Sequence, residues 1–448
     1  MSKKTVFLVI PNHISGSDLL RTHYLEYLTS KYKAVVITPF LSSDDAVKQK
    51  YFLSQDIEYK KRVLENPRFW PFFKFLRICL VNEFDYITSI KHWYKRPNYK
   101  NSLVRRIIRT IGRLFYKILT ADFFTKVEYR LLPKSKSFAK LVKQYNPVLV
   151  ITATPGFDSW EAEVIFLAKR EKVLTVAVDF SWDNLTTNSK HIRKTDYLVA
   201  WNNIMKAEAL SIHNYTSDRV FVSGTPRFDP YFDLSQLEPS REEFLLGKGL
   251  NPKYKTIFHT TVTKAYPFQK KYIHDLIRLR KEGDIPYVNL FIRIHPLDIY
   301  DNYKEFLNVP DLCIESSGKY FGKSVEMNYQ DLLNLKYSLK YTDLNINYAS
   351  TISIEACIFD KPIINIGYLE RFKLAYEFNH YAPIYKSGAI RLAKTDKDLK
   401  DLINLYLTDS TVDKVNRQKI ASEYVIFFDG LSYKRSVDIL GQIVKSTI

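Results

Sequence analysis

The stretch TDLNINYASTISIEACIFDKPIINIG, Thr342 to Gly367, reads as a complete strand–turn–helix–strand unit. Leu344–Asn347 form a short strand, and Ala349, Ser350 and Thr351 break it. Ile352–Phe359 then follow helical spacing, with Ser350 suited to cap the helix start. Lys361-Pro362 end the helix and launch the next strand, Pro362–Ile366. Two strands joined through a crossover helix lie parallel in one sheet. The free N–H groups and dipole of such a helix start favour a phosphate, which makes Ser350 and Thr351 candidate contacts. Glu355, in the helix's first turns, is a candidate acceptor for ribose hydroxyls. The same residues also fit an ordinary capped unit with a solvated glutamate.

The pattern extends outward in both directions. LFIRIHPLD, residues 290–298, is an apolar strand carrying a cation and an imidazole two residues apart, so Arg293 and His295 share a face. Further strands are expected at Thr5–Ile10, Ala34–Thr38, Val148–Thr152, Leu174–Val178, Tyr197–Trp201, Val220–Ser223, Thr256–Thr260, Val288–Ile294 and Ala389–Leu392. Helical patterns such as Asp158–Arg170 and Lys270–Lys281 lie between them. The alternation occurs twice, separated by a polar break at Asp229–Lys255 with Pro230, Pro239 and Pro252. A chain of 448 residues fits two domains. The expectation is an α/β chain with two Rossmann-like domains, over 1–235 and 250–430, and a C-terminal helix over 431–448 near the junction.

Ligands of open α/β sheets bind beyond the carboxyl ends of the strands. Arg293 and His295 lie at such an end, as do Ser223-Gly224-Thr225-Pro226-Arg227 and Asn347-Tyr348-Ala349-Ser350-Thr351. An Arg–carboxylate pair and a packed histidine would also account for the first two. The formal charge of +19 implies an anionic partner: nucleic acid, an acidic membrane or a phosphorylated substrate. The 3 cysteines, Cys79, Cys313 and Cys357, lack metal-ligand spacing and read as free thiols of a reducing compartment. With 13 glycines and no G-x-G-x-x-G after a strand, a nicotinamide enzyme is disfavoured. The basic then briefly apolar start, MSKKTVFLVIPNH, is too short in its apolar part for a signal peptide and reads as a first strand.

Thr342–Gly367 resembles the nucleotide-binding half of GT-B glycosyltransferases. "IRIHP" and "VSGTPRFD" resemble relatives of the CDP-glycerol glycerophosphotransferases and other bacterial surface-polysaccharide transferases. "FFDGLSYKRSVDIL", Phe427–Leu440, resembles the Asp-Gly…Arg stretch near their C-terminus, and "DFSWDNLTTN", Asp179–Asn188, a segment of related surface-carbohydrate proteins. The likeness covers roughly residues 145 to 440. It implies the GT-B fold, with two Rossmann-like domains whose parallel sheets face an interdomain cleft. It also implies a nucleotide-activated donor held by Arg293, Lys264, Ser350, Thr351, Glu355, Gly224 and Arg227, with His295 protonating a leaving oxygen. Positioned cations can stabilise a departing phosphate, so neither metal nor cofactor is expected. The lone Asp-x-Asp, Asp396-Lys397-Asp398, reads as a charged helix start. The resemblance makes 250–430 the nucleotide-donor domain and 1–235 the acceptor domain, where the candidates are His13 as general base and Asp183 of "SWDN", with Gly156 and Asp158 nearby; loop, capping and turn roles fit them as well. Retaining GT-B enzymes often carry two glutamates eight positions apart; here Asn347 precedes Glu355, which leaves the stereochemistry open.

NSLVRRIIRTIGRLFYKILTADFF, Asn101–Phe124, reads as one amphipathic helix. Val104, Ile107, Ile108, Ile111, Leu114, Phe115, Ile118 and Leu119 form one face, and Arg105, Arg106, Arg109, Arg113 and Lys117 the other. With the aromatic and basic FWPFFKFLR upstream, it suits an anionic membrane surface; a helix packed on its own sheet is the alternative. The expected function is transfer of a sugar to a cell-surface glycan or lipid-linked acceptor, in the cytoplasm at the inner membrane face. A CDP-dependent polyol-phosphate transferase and a sugar-nucleotide epimerase are the alternatives, and a nucleic-acid-binding protein is disfavoured.

Overall fold

Apolar runs buried on both faces become the strands of two parallel sheets. The computed structural model describes residues 3–12, 17–39, 56–62, 87–89, 102–115, 118, 120–132, 134–187, 193–235, 237–263, 268–321, 324–368 and 374–447. By contacts the chain divides into a first unit, Met1–Asp229 with Phe378–His380 and Asp429–Ile448, and a second, Pro230–Glu377 with Tyr381–Phe428.

The first unit holds β1 (Thr5–Val9), β2 (Lys33–Thr38), β3 (Ile57–Lys61), β4 (Leu149–Thr152), β5 (Thr175–Val178), β6 (Tyr197–Ala200) and β7 (Val220–Val222). They form a 7-stranded sheet in the order β3-β2-β1-β4-β5-β6-β7, every pair parallel. One face packs Val6, Leu8, Val36, Ile151 and Val176 against the helix Tyr24–Lys31 and the C-terminal helix Ser432–Thr447. The other packs Phe7, Val9, Val35 and Val150 against Phe138, Val164 and Leu167. The C-terminal helix, expected near the junction, thus contributes Val437, Leu440 and Ile443 to the first unit's core.

The second unit repeats the plan with β8 (Thr256–Thr260), β9 (Asn289–Ile294), β10 (Leu312–Ser316), β13 (Leu344–Asn347), β14 (Ile363–Ile366) and β15 (Arg391–Ala393). Its 6-stranded sheet runs β10-β9-β8-β13-β14-β15, again parallel throughout. A small antiparallel pair, β11 (Lys319–Phe321) with β12 (Ser324–Glu326), stands apart. In each sheet the strand order reverses once, between β1 and β4 and between β8 and β13, which creates a crevice at the strand mouths.

The strands expected from sequence are present with small shifts at their ends. Those not anticipated, β3, β10 and the β11–β12 pair, are edge or isolated strands. β3 carries IEYKK and is largely half-exposed, so it lacks the apolar run that marks a central strand. The single helix expected over Asn101–Phe124 is two helices, Leu103–Leu114 and Ala121–Leu131. Thr120 starts the second by accepting a hydrogen bond from the Phe123 N–H, a cap that the amphipathic period concealed.

Candidate functional site

In the first unit the carboxyl ends of β5 and β6 gather ionisable groups. Asp179 directly follows β5 and is buried; its Oδ1 accepts from Asn184 Nδ2 at 2.5 Å and from the Ser181 N–H at 3.3 Å. Its Oδ2 has no partner among the described residues, and burial pushes the carboxyl up to about 8. Glu208, on the helix Asn203–His213, is likewise raised to about 8, first by burial and then by repulsion from Asp183 and Asp179. Asp183 is half-buried and accepts from the Ser181 hydroxyl. His380 stands over Trp182, ring centroids 5.1 Å apart, with Nδ1 3.4 Å from the Thr186 hydroxyl. Burial lowers its pKa, and the Asp183 charge opposes that shift. The short helix Asn184–Thr187 that carries this loop is held by the buried His213, whose Nε2 meets the Leu185 carbonyl at 2.7 Å. Two protonated carboxyls, a neutral imidazole and a half-buried aspartate therefore share one environment. Such a set can take up and return a proton.

In the second unit the crevice between β8 and β13 is flanked by Thr261–Thr263 and Tyr348–Thr351, with His295 at the end of the neighbouring β9. The His295 N–H donates to the Thr261 hydroxyl at 2.9 Å, tying two strand mouths together. His295 Nδ1 accepts from the Leu297 N–H at 3.0 Å, so the ring hydrogen resides on Nε2. Ser350 and Thr351 precede the helix Ile352–Ile358, and Ser350 Oγ accepts from the Ile352 N–H at 3.3 Å. Beneath them, Asn347 Oδ1 accepts from Ser353 Oγ and Asn365 Nδ2, both at 3.0 Å. Tyr381 closes this network by donating to Asn365 Oδ1 at 2.6 Å.

Two expected contacts are occupied internally. Arg293 is buried and ion-paired with Glu315 of β10, and its other terminal nitrogen donates to the Asp331 carbonyl at 3.3 Å. Lys248 shares the same Glu315. Glu355 is fully buried and accepts from the Tyr231 hydroxyl. Arg293 therefore matches the ion-pair alternative, and Glu355 is not displayed to solvent.

No protein-family model and no curated protein sequence matches the chain. Solved structures do, over nearly its whole length. The Neisseria meningitidis UDP-GlcNAc 2-epimerase bound to UDP-GlcNAc is 13% identical, covers 98% of this chain and 100% of its own, and has a TM-score of 0.55. A glycosyltransferase from Rickettsia africae is 12% identical over 99% of this chain and 100% of its own, with a TM-score of 0.54. The wall teichoic acid polymerase TagF, solved with CDPG, is 11% identical over 99% of this chain and 90% of its own, with a TM-score of 0.51. The chain has the GT-B fold.

Within that fold the remaining motifs have structural work. Gly224 follows β7 at φ 78° and donates its N–H to the Trp201 carbonyl at 3.1 Å. Arg227 lies in the single turn Pro226–Phe228, which Thr225 starts by accepting from the Arg227 N–H. Arg435 is bound by Asp429 at 2.7 and 3.0 Å and donates to the Ser223 carbonyl at 2.9 Å. The "SGTPRFD" and "DGLSYKR" stretches therefore meet within the first unit. Gly156 sits at φ 103°, where a Cβ would come 2.6 Å from the Arg193 carbonyl oxygen, and Asp158 caps the helix Ser159–Arg170. Asp396 and Asp398 occupy the start of the helix Asp396–Thr408, where Asp398 accepts from the Lys394 N–H. Among the described residues no three His, Cys, Asp or Glu side chains are placed to hold a metal ion. His13 and Lys264 lie outside the described residues.

Sequence reasoning missed Asp179, Glu208 and His380. Asp179 had a readable signal, since it ends a strand as His295 nearly does. Glu208 lies mid-helix with no local mark. His380 comes from a three-residue return of the chain into the first unit, which no local pattern announces.

Proposed function

We propose that this protein is a glycosyltransferase, moving a sugar from a nucleotide-activated donor to a cell-surface glycan or lipid-linked acceptor. The observation that carries this reading is the half-buried Asp183, beside an imidazole held neutral and two carboxyls held protonated. In the first unit Asp183 takes the proton of an acceptor hydroxyl as its oxygen bonds to the sugar's anomeric carbon. The anomeric carbon–oxygen bond to phosphate breaks, and the electron pair departs with the nucleotide. In the second unit the nucleotide occupies the crevice between β8 and β13, where His295 Nε2–H, the Thr261 hydroxyl and Ser350-Thr351 supply donors. Solved proteins of the same fold bound to UDP, UDP-GlcNAc and CDPG support a nucleotide-activated donor.

A sugar-nucleotide epimerase is the second reading. It is favoured by the gathering of Asp179, Asp183 and Glu208, since removing and returning a proton at carbon needs an acid and a base together. Incubation with UDP-, CDP- and GDP-activated donors, with and without a lipid-linked glycan primer, separates the two. Transfer gives nucleotide release that requires the primer. A sugar of altered configuration formed without primer establishes epimerisation instead.

A further inference from the structure

The helix Leu103–Leu114 keeps its apolar side in water. Leu103 is 68% exposed, Ile107 50% and Leu114 71%, and just beyond the helix Ile118 is 61% exposed. Val104, Ile111 and Phe115 are exposed as well. At 100° per residue, the five apolar side chains at 103, 104, 107, 111 and 114 fall within about 100° of arc, a continuous stripe. None of them belongs to either core cluster of the first unit. A continuous apolar face of this kind in water marks an interaction surface.

The helix also carries charge of one sign. Its twelve residues, LVRRIIRTIGRL, include Arg105, Arg106, Arg109 and Arg113 and no acid, and Arg106 is exposed. We propose that this helix docks the protein on an anionic lipid bilayer, with the apolar stripe in the acyl boundary and phosphate headgroups meeting its cations. A second copy of the chain fits less well, because face-to-face packing would bring together two helices whose charges are all positive. Nucleic acid would meet the arginines and leave the stripe in water. With 12 residues the helix lies on the surface, since a span needs about 20. Among the described residues no helix is long and apolar enough to cross a membrane. The inference rests on this helix alone and stands under either reading of the chemistry.

The test is flotation of the full-length protein with vesicles of phosphatidylcholine alone or mixed with phosphatidylglycerol. The unaltered protein floats with the mixed vesicles, and less so at high salt. The variant Arg106→Glu/Arg109→Glu/Arg113→Glu loses at least about a hundredfold in vesicle partition, given the worth of each near-surface cation. The variant Ile107→Glu/Leu114→Glu also stays unbound, with thermal unfolding unchanged because both positions are exposed. Three results overturn the proposal: no flotation of the unaltered protein; flotation of Ile107→Glu/Leu114→Glu at the unaltered level; or, in sedimentation without vesicles, a dimer that this variant loses while vesicles recruit neither protein.

Discussion

Asp183 and Arg293 are each fixed by a neighbour's side chain, and each makes a separable prediction. Asp183→Asn keeps the volume and the Ser181 contact but removes the base, so turnover falls by about 10²–10⁴ while nucleotide affinity is unchanged. Steady-state kinetics with calorimetry checks this, and an Asn variant of unaltered turnover removes Asp183 from the chemistry. Arg293→Ala should act on stability, because the guanidinium is committed to Glu315 and the Asp331 carbonyl. Its loss costs about 1.5–3 kcal/mol of second-unit stability, read by denaturant unfolding, with little change in nucleotide binding. The sequence placed Arg293 on a phosphate because a strand pattern reveals which face a side chain takes but not what lies across it. Glu315 sits on β10, an edge strand whose half-buried LCIES has no apolar run to announce it. The position of His295 just past β9 was legible because Pro296 marks the strand end, and strand ends are where side chains leave the sheet.

Elements were legible in proportion to their burial. Central strands such as β1, β4 and β9 are buried along nearly their whole length and read directly as apolar runs. The strand–turn–helix–strand at Thr342–Gly367 was legible as a unit, since Ser350, Lys361 and Pro362 punctuate it, although Thr351 and not Ser350 holds the cap position, without a side-chain cap hydrogen bond. The break between Leu114 and Ala121 was not, because hydrophobic spacing continues through it and only Thr120 marks the new start. The C-terminal helix depends on a contact that no local reading finds. Asp229 Oδ1 and Oδ2 accept from the Ser432 and Tyr433 N–H groups at 2.9 and 2.8 Å, closing a long stretch of chain. Asp229→Ala leaves both donors unpaired where Ser432 is buried. It should destabilise the first unit by about 1–3 kcal/mol, seen as a lower denaturant midpoint at unchanged slope. An Asp229→Ala protein with an unaltered midpoint would mean that the helix is held by its apolar face alone.

At the scale of the molecule, the two units bury ionisable groups of opposite kind, and their stabilities should drift apart with pH. In the first unit Asp179 and Glu208 are raised to about 8 and Asp229 to about 6, each chiefly by burial. A carboxyl whose folded pKa lies above its unfolded value binds more protons folded than unfolded. Stability therefore falls as pH rises from the ordinary carboxylate range to the folded pKa. In the second unit His259 is lowered to about 4, again by burial. That group binds more protons unfolded, so its contribution is complete above the usual imidazole range and is lost as pH falls towards 4. His380 of the first unit is lowered as well and opposes the carboxyls in the acidic part of the range. The cleanest window is thus from about pH 6.5 to pH 8, where both folded histidines are neutral and the unfolded imidazole, half-charged near pH 6.5, sheds its remaining charge. Across it the first unit's calorimetric transition should move down in temperature while the second unit's stays in place or rises slightly. Asp179→Asn supplies the control: it removes one titrating carboxyl and relieves its repulsion of Glu208, so the downward drift should shrink markedly. A first-unit transition constant from pH 6.5 to 8 would mean that the buried carboxyls, Glu161 among them, are already ionised in the folded protein, and an equal drift in Asp179→Asn would mean that Asp179 is. Asp183 would then stand among like charges rather than beside protonated partners, and its role as the base would lose its electrostatic support.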